Sequence, residues 1–97
     1  VMLPCVPEWT DSVWHLFVVR TKHRGRLAES LSKRGIPTLV HYPIPPHKQG
    51  AFREVTGKGP GLDVAMELSA TVLSLPMGPH LKEKDARAVA NAVNDFL

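Results

Sequence analysis

Cysteine is almost missing from this chain: Cys5 is the single one. One thiol excludes an internal disulfide and the disulfide-stapled secreted scaffolds that depend on several. The composition fits a reducing compartment, so a cytoplasmic protein is expected, with Cys5 an inert loop side chain. Long apolar runs are missing too. No stretch approaches the ~18 apolar residues of a membrane span, so no membrane partner is expected. The opening "VMLPCVPEW" has neither the basic start nor the apolar run of a signal peptide. Aromatic residues are scarce, at 6%, and none is interleaved with the basic cluster "RTKHRGR" (20 to 26) or with Lys33 and Arg34. Nucleic acid is therefore not an expected partner. These charges read as a solvated helix face, with attraction for an anion such as phosphate as the alternative. Neither "GxxxxGK[ST]" nor "GxGxxG" occurs, and no "GxSxG" elbow marks a nucleophile. The five histidines suggest a metal, but the interval from His41 to His47 matches no helix-borne zinc pair and no acid or thiol lies nearby. No metal is expected.

What is present fits one small domain. A chain of 97 residues buries roughly 60 to 70% of its unfolded surface, enough for one core and too little for two. Residues 1–97 are therefore read as a single domain. The chain starts on Val1 and stops at Leu97 inside a helical pattern, which reads as a piece of a longer protein. After an irregular lead-in, "SVWHLFVV" (12 to 19) is apolar on both alternating faces and is expected to be a central strand with His15 buried as a structural histidine. His23 and His80 are expected near helix starts and exposed. Leu27, Ala28 and Leu31 form a helical stripe, Glu29 and Lys33 an i, i+4 pair, and Gly35 the left-handed residue that ends the helix. "TLVHY" (38 to 42) reads as a short strand. "HKQGAFREV" (47 to 55) holds a short helical turn, and "TGKGPG" (56 to 61) is a loop. "LDVAMELSA" (62 to 70) reads as a helix with Leu62, Ala65, Met66 and Ser69 on one face. "TVLSL" (71 to 75) is a strand closed by Pro76. A last helix carries Leu81, Val89, Val93 and Phe96. The expected fold is α+β, an α/β sandwich with about three strands covered by helices on one face.

The stretch "HYPIPPHKQ" (41 to 49) sets an imidazole and a phenol at the exit of a strand, on a loop stiffened by Pro43, Pro45 and Pro46. Proline lowers the entropy of the unbound loop, so less freedom is lost when a ligand arrives. His41 and Tyr42 can both donate and accept hydrogen bonds, and aromatic faces pack on sugar rings. A neutral polyhydroxylated ligand suits this set. A rigid structural connector suits it equally, and the residues alone do not choose.

The string "RGIPTLVHYPIPPHKQGAF", with "VLSLPMGPHL" downstream and "VWHLFVVR" and "LAESLSKRGI" upstream, resembles the DegT/DnrJ/StrS family of pyridoxal-phosphate-dependent sugar aminotransferases. The likeness runs from about Val13 to Phe96 and rests on three ordered motifs. It departs at Arg24 and Gly25, where the family often has arginine–aspartate, and at Gly78, where it often has histidine. The lost acid would have favoured the helix N-terminus.

The resemblance implies the small C-terminal domain of a fold-type-I enzyme whose large N-terminal domain, with the cofactor lysine, is absent from this chain. Pyridoxal phosphate (PLP) is implied for the intact enzyme and none is expected on this piece, which is expected to be inactive alone. An amino group would pass from a donor, usually glutamate, to a nucleotide-linked keto-sugar, for cell-surface polysaccharide, lipopolysaccharide or related sugar biosynthesis. By resemblance His41 and Tyr42 help hold the sugar, while His47 and Gln49 shape the loop or reach the same site. The intact enzyme would be a homodimer. The alternatives are a stand-alone sugar- or nucleotide-binding module, or a dehydratase or regulatory member of the same family.

Overall fold

The computed structural model describes residues 1–52, 54 and 61–97. Its sheet is built on two antiparallel strands, β1 (Phe17–Arg20) and β2 (Val72–Leu75). Phe17 pairs with Leu75, Val18 with Ser74, Val19 with Leu73 and Arg20 with Val72. Single bridges extend the sheet at both edges, Met2 to Arg20 and Leu39 to Ser74. Both β1 and the Leu39 segment run antiparallel to β2. They are therefore parallel to each other, with β2 between them, a split β-α-β arrangement.

The expected central strand over 12–19 is shorter than its apolar pattern. Continuing the register would set Leu16 against Pro76, beyond the last residue of β2. Before that point the chain leaves the sheet. Trp14 has φ of 49°, its N–H donates to Ser12 Oγ at 3.2 Å, and its ring stacks on Phe17 at 5.4 Å. His15 is accordingly exposed and outside the strand, not buried within it. The expected strand over 38–42 is reduced to the one bridge at Leu39, because β2 offers only four residues and Pro37 and Pro43 bracket the segment.

Helix α1 (Arg24–Lys33) buries Leu27 and Leu31. It ends in a Schellman motif: the Gly35 N–H donates to the Ser32 carbonyl at 2.9 Å and the Ile36 N–H to the Leu31 carbonyl at 3.0 Å. Gly35 sits at φ 72°, the left-handed position such an end requires. Glu29 and Lys33 pair at 2.7 Å as their spacing implied. Helix α2 (Asp63–Thr71) runs directly into β2. Two of its last-turn carbonyls find partners from the β1–α1 connection and the start of α1, since the Arg24 guanidinium donates to the Ser69 carbonyl and the Thr21 N–H to that of Thr71 at 3.0 Å. A cation at a helix C-terminus also meets the favourable end of the dipole. Helix α3 (Glu83–Asn94) has Glu83 and Asp85 in its first turn and buries Val89, Ala92 and Val93.

The core lies on one face of the sheet, under α1 and α3. Val19, Leu27, Leu31, Leu73, Ala92 and Val93 form it, with Phe17, Leu75 and Phe96 packed at its margin. On the opposite face of β2, Val72 and Ser74 are buried as well. The α+β reading stands, with one full strand pair and two single-bridge edges in place of three strands. The loop expected at 56–61 falls on residues outside those described, apart from Gly61.

Candidate functional site

The sheet edge at Leu39 delivers the chain to the proline-rich segment. The Leu39 N–H donates to the Ser74 carbonyl at 3.2 Å and the Ser74 N–H to the Leu39 carbonyl at 2.8 Å. This exchange anchors the backbone two residues before His41. The His41–Tyr42 peptide is cis, and the two rings meet edge to face with centroids 5.5 Å apart. His41 is half-buried, and its Nδ1 lies 2.8 Å from Ser74 Oγ. Tyr42 is 72% exposed. The imidazole is thus held by the sheet and the phenol stands outside it, on surface the chain does not cover.

The prolines act as their chemistry dictates. Pro45 is buried with ψ 151°, and the first of two short 3₁₀ turns, Pro46–Lys48, opens on Pro46. The second covers Gly50–Phe52. Gln49 Nε2 donates back to the Ile44 carbonyl at 3.3 Å, tying the two ends of the loop together. The Gln49 amide is therefore engaged with backbone. His47 is half-buried within the first 3₁₀ turn. Among the four residues singled out from the sequence, the fold brings His41 and Tyr42 into ring contact and ties Gln49 to the loop's own backbone.

A cavity of about 200 Å³ opens beside His41, lined by Leu16, Thr38, Leu39, His41, Ser74 and Met77 among others. A larger one, about 400 Å³, lies between the sheet and α3, with Phe17, Leu75, Val89 and Val93 in its wall. It contains none of the four residues, and its apolar lining has little with which to orient a polyhydroxylated ligand. Among the described residues no group of three His, Cys, Asp or Glu side chains could hold a metal ion, and no helix is long and apolar enough to cross a membrane.

Sequence reasoning missed Ser74. It sits between two leucines in a strand, and only 5% of its surface is exposed. A buried hydroxyl needs a partner. The signal was there in "LSL" on a buried strand, but naming the partner required knowing that Leu39, and hence His41, lies alongside.

Comparison with known proteins gives the frame for this site. Over 94 residues the chain is 44% identical to a dTDP-3-amino-3,4,6-trideoxy-alpha-D-glucose transaminase of Streptomyces venezuelae, covering 97% of this chain and 25% of that protein. It is 45% identical over 87 residues to the erythromycin biosynthesis sensory transduction protein EryC1 of Saccharopolyspora erythraea, covering 89% of this chain and 24% of that protein. The crystal structure of S. venezuelae DesV in complex with a ketimine intermediate superposes with a TM-score of 0.92 at 43% identity, over 98% of this chain and 26% of that one. The chain therefore spans about a quarter of the length of the curated relatives it matches. The family model of the DegT/DnrJ/EryC1/StrS aminotransferases matches residues 1–94, and on that match the chain belongs to the DegT/DnrJ/EryC1/StrS aminotransferase family.

Proposed function

We propose that this chain is the small C-terminal domain, residues 1–97, of a cytoplasmic PLP-dependent aminotransferase that moves an amino group from glutamate to a nucleotide-linked keto-sugar, in the biosynthesis of a surface polysaccharide or a related sugar. The observation that carries this reading is the 44% identity, over 97% of the chain, to a protein named as the transaminase of a dTDP-linked sugar. His41 and Tyr42 are assigned to the sugar. The imidazole is fixed to the sheet through Ser74 and the phenol projects outward beside it, which supports contact with a ligand held mainly by the rest of a longer polypeptide. His47 and Gln49 are assigned to keeping the loop in shape.

The residues described here do not fit the cofactor itself. A Schiff-base lysine works when its amine is desolvated or set beside another cation, yet Lys22, Lys33, Lys48, Lys82 and Lys84 are all exposed. Lys58 lies outside the described residues. The electron sink for amino transfer is assigned to the absent large domain and, in the homodimer, to its surroundings. This chain contributes binding and orientation.

The full-length protein tests the reading. Incubated with 2-oxoglutarate and a panel of amino sugars linked to dTDP or UDP, dTDP-3-amino-3,6-dideoxy-α-D-galactopyranose among them, it should release glutamate by the reverse reaction from at least one. Absence of glutamate with the whole panel would remove the transaminase reading. One observation favours a second reading. EryC1 is named as a sensory transduction protein, and a relative 36% identical over 99% of the chain is the pleiotropic regulatory protein of Geobacillus stearothermophilus. Binding of a nucleotide sugar without turnover would support a regulatory or purely binding role.

A further inference from the structure

We infer that Ser74 is a positioning residue that holds neutral His41 as the tautomer with its proton on Nε2, so that His41 offers a hydrogen-bond donor to an oxygen of the bound sugar. The second half of this statement rests on the sugar-binding role assigned to His41 above. The first half rests on satisfying every polar group around Ser74.

Both backbone groups of Ser74 are used by Leu39. What remains is a hydroxyl on a residue only 5% exposed, with His41 Nδ1 at 2.8 Å as its partner among the described residues. Two assignments of the proton are possible at this contact. If Nδ1–H donated to Oγ, the hydroxyl proton would have no acceptor among the described residues, and a buried donor left unmade costs about 1–3 kcal/mol. If the hydroxyl donates to Nδ1, both groups are satisfied. The neutral ring then carries its hydrogen on Nε2. That nitrogen can donate to a hydroxyl or carbonyl oxygen and cannot accept from an ammonium group. The site would therefore read an oxygen substituent of the sugar at this point.

Solid-state nitrogen NMR of the full-length protein, labelled with ¹⁵N-histidine and held at pH 8, tests the tautomer. The His41 signal is identified by its loss in His41→Gln. The expected result is a bare Nδ1 and a protonated Nε2 in the native protein and in Ser74→Thr, and mixed tautomers in Ser74→Ala. A protonated Nδ1 in the native protein, or a Ser74→Ala spectrum identical to the native one, overturns the proposal. Calorimetric titration of the same proteins with dTDP-glucose and with UDP-N-acetylglucosamine tests the donor role. Ser74→Ala should weaken the tighter of the two by about three- to tenfold, the value of one hydrogen bond. In the His41→Gln background the same substitution should have no further effect. A weakening that persists in that background assigns Ser74 a general structural part and sinks the positioning role. If the tautomer is as expected and neither compound binds the native protein, the Ser74–His41 pair stands and the sugar-binding reading falls.

Discussion

The half of the molecule under α1 and α3 and the half formed by α2, the proline loop and the lead-in use similar residues to opposite ends. Leucine and valine in the first half disappear from solvent: Val19, Leu27 and Leu31 are fully buried. In the second half they stay in view. Val64 on α2 is 70% exposed and Ile44 in the loop 54%, and Trp9 and Val13 in the lead-in are exposed as well. The radius of gyration is 15.7 Å, against about 13 Å for a self-contained domain of similar length. One half is closed on itself. The other carries apolar side chains that the described residues leave exposed.

The largest expected effect breaks the closed half. Leu31 is fully buried and is also the residue whose carbonyl receives the Ile36 N–H at the end of α1. Leu31→Ala should cost about 2–5 kcal/mol, from lost transfer energy and the cavity left behind. Urea unfolding measures it. A loss under about 1 kcal/mol would mean that this half is as open as the other.

Next in size is Gly35→Ala. A methyl group there meets nothing within 4 Å, so packing is not at issue. The backbone is, because φ is 72°. Holding an L-residue in that region costs about 1–2 kcal/mol, visible as a lower urea midpoint with an unchanged slope. An unchanged midpoint would show that the helix end can be rebuilt without the left-handed residue.

The contrast between halves also explains what the sequence disclosed. Helix α1 was legible in full, because Leu27, Leu31 and Gly35 are local signals: a period, then a stop. β2 was legible because Pro76 closes it. The extent of β1 was not. Residues 12–19 alternate as a buried strand would, but pairing length belongs to the partner, and β2 ends at the same Pro76. His15 was misread for that reason. Within the candidate site, the stiff loop could be anticipated from its prolines, but the exposure of Tyr42 could not, because a rigid connector suited the same residues equally. The link from Ser74 to His41 spans 33 positions and rests on a single bridge at Leu39, which no period records. Of the apolar face assigned to α2, Ser69 is buried while Leu62 and Met66 are exposed. The helical period placed them correctly on one side, but could not say whether this chain covers that side.

Tyr42 sharpens the comparison by dissociating stability from function. It is 72% exposed, and substitutions at such surface positions usually fall within about 0.5 kcal/mol. Tyr42→Phe should therefore leave the unfolding midpoint in place. In the full-length enzyme it should raise the KM for the nucleotide sugar by about three- to tenfold, with a smaller change in kcat, as removal of a uniform binding contact does. A clear loss of stability would place the phenol in the closed half. A fall in kcat at constant KM would give it a part in the transition state.

Smallest of all is the ion pair on the wet side of α1. Lys33 holds the Glu29 carboxyl below its ordinary range, through a hydrogen bond first and charge second. A carboxyl whose folded pKa is depressed stabilises the folded state once pH is above its unfolded pKa. That contribution fades as pH falls through the unfolded value toward the folded one, and is gone below both. The window lies at and below the ordinary glutamate range near 4.5. Glu29→Gln should thus slightly flatten the acid side of the stability–pH curve, leave its shape at neutral pH alone, and lose even that difference in high salt, because both side chains are solvated. The reading is urea midpoints from pH 3 to 7 at low and high salt. An effect rivalling Gly35→Ala would mean that the surface of the closed half, and not its buried leucines, sets how the two halves differ.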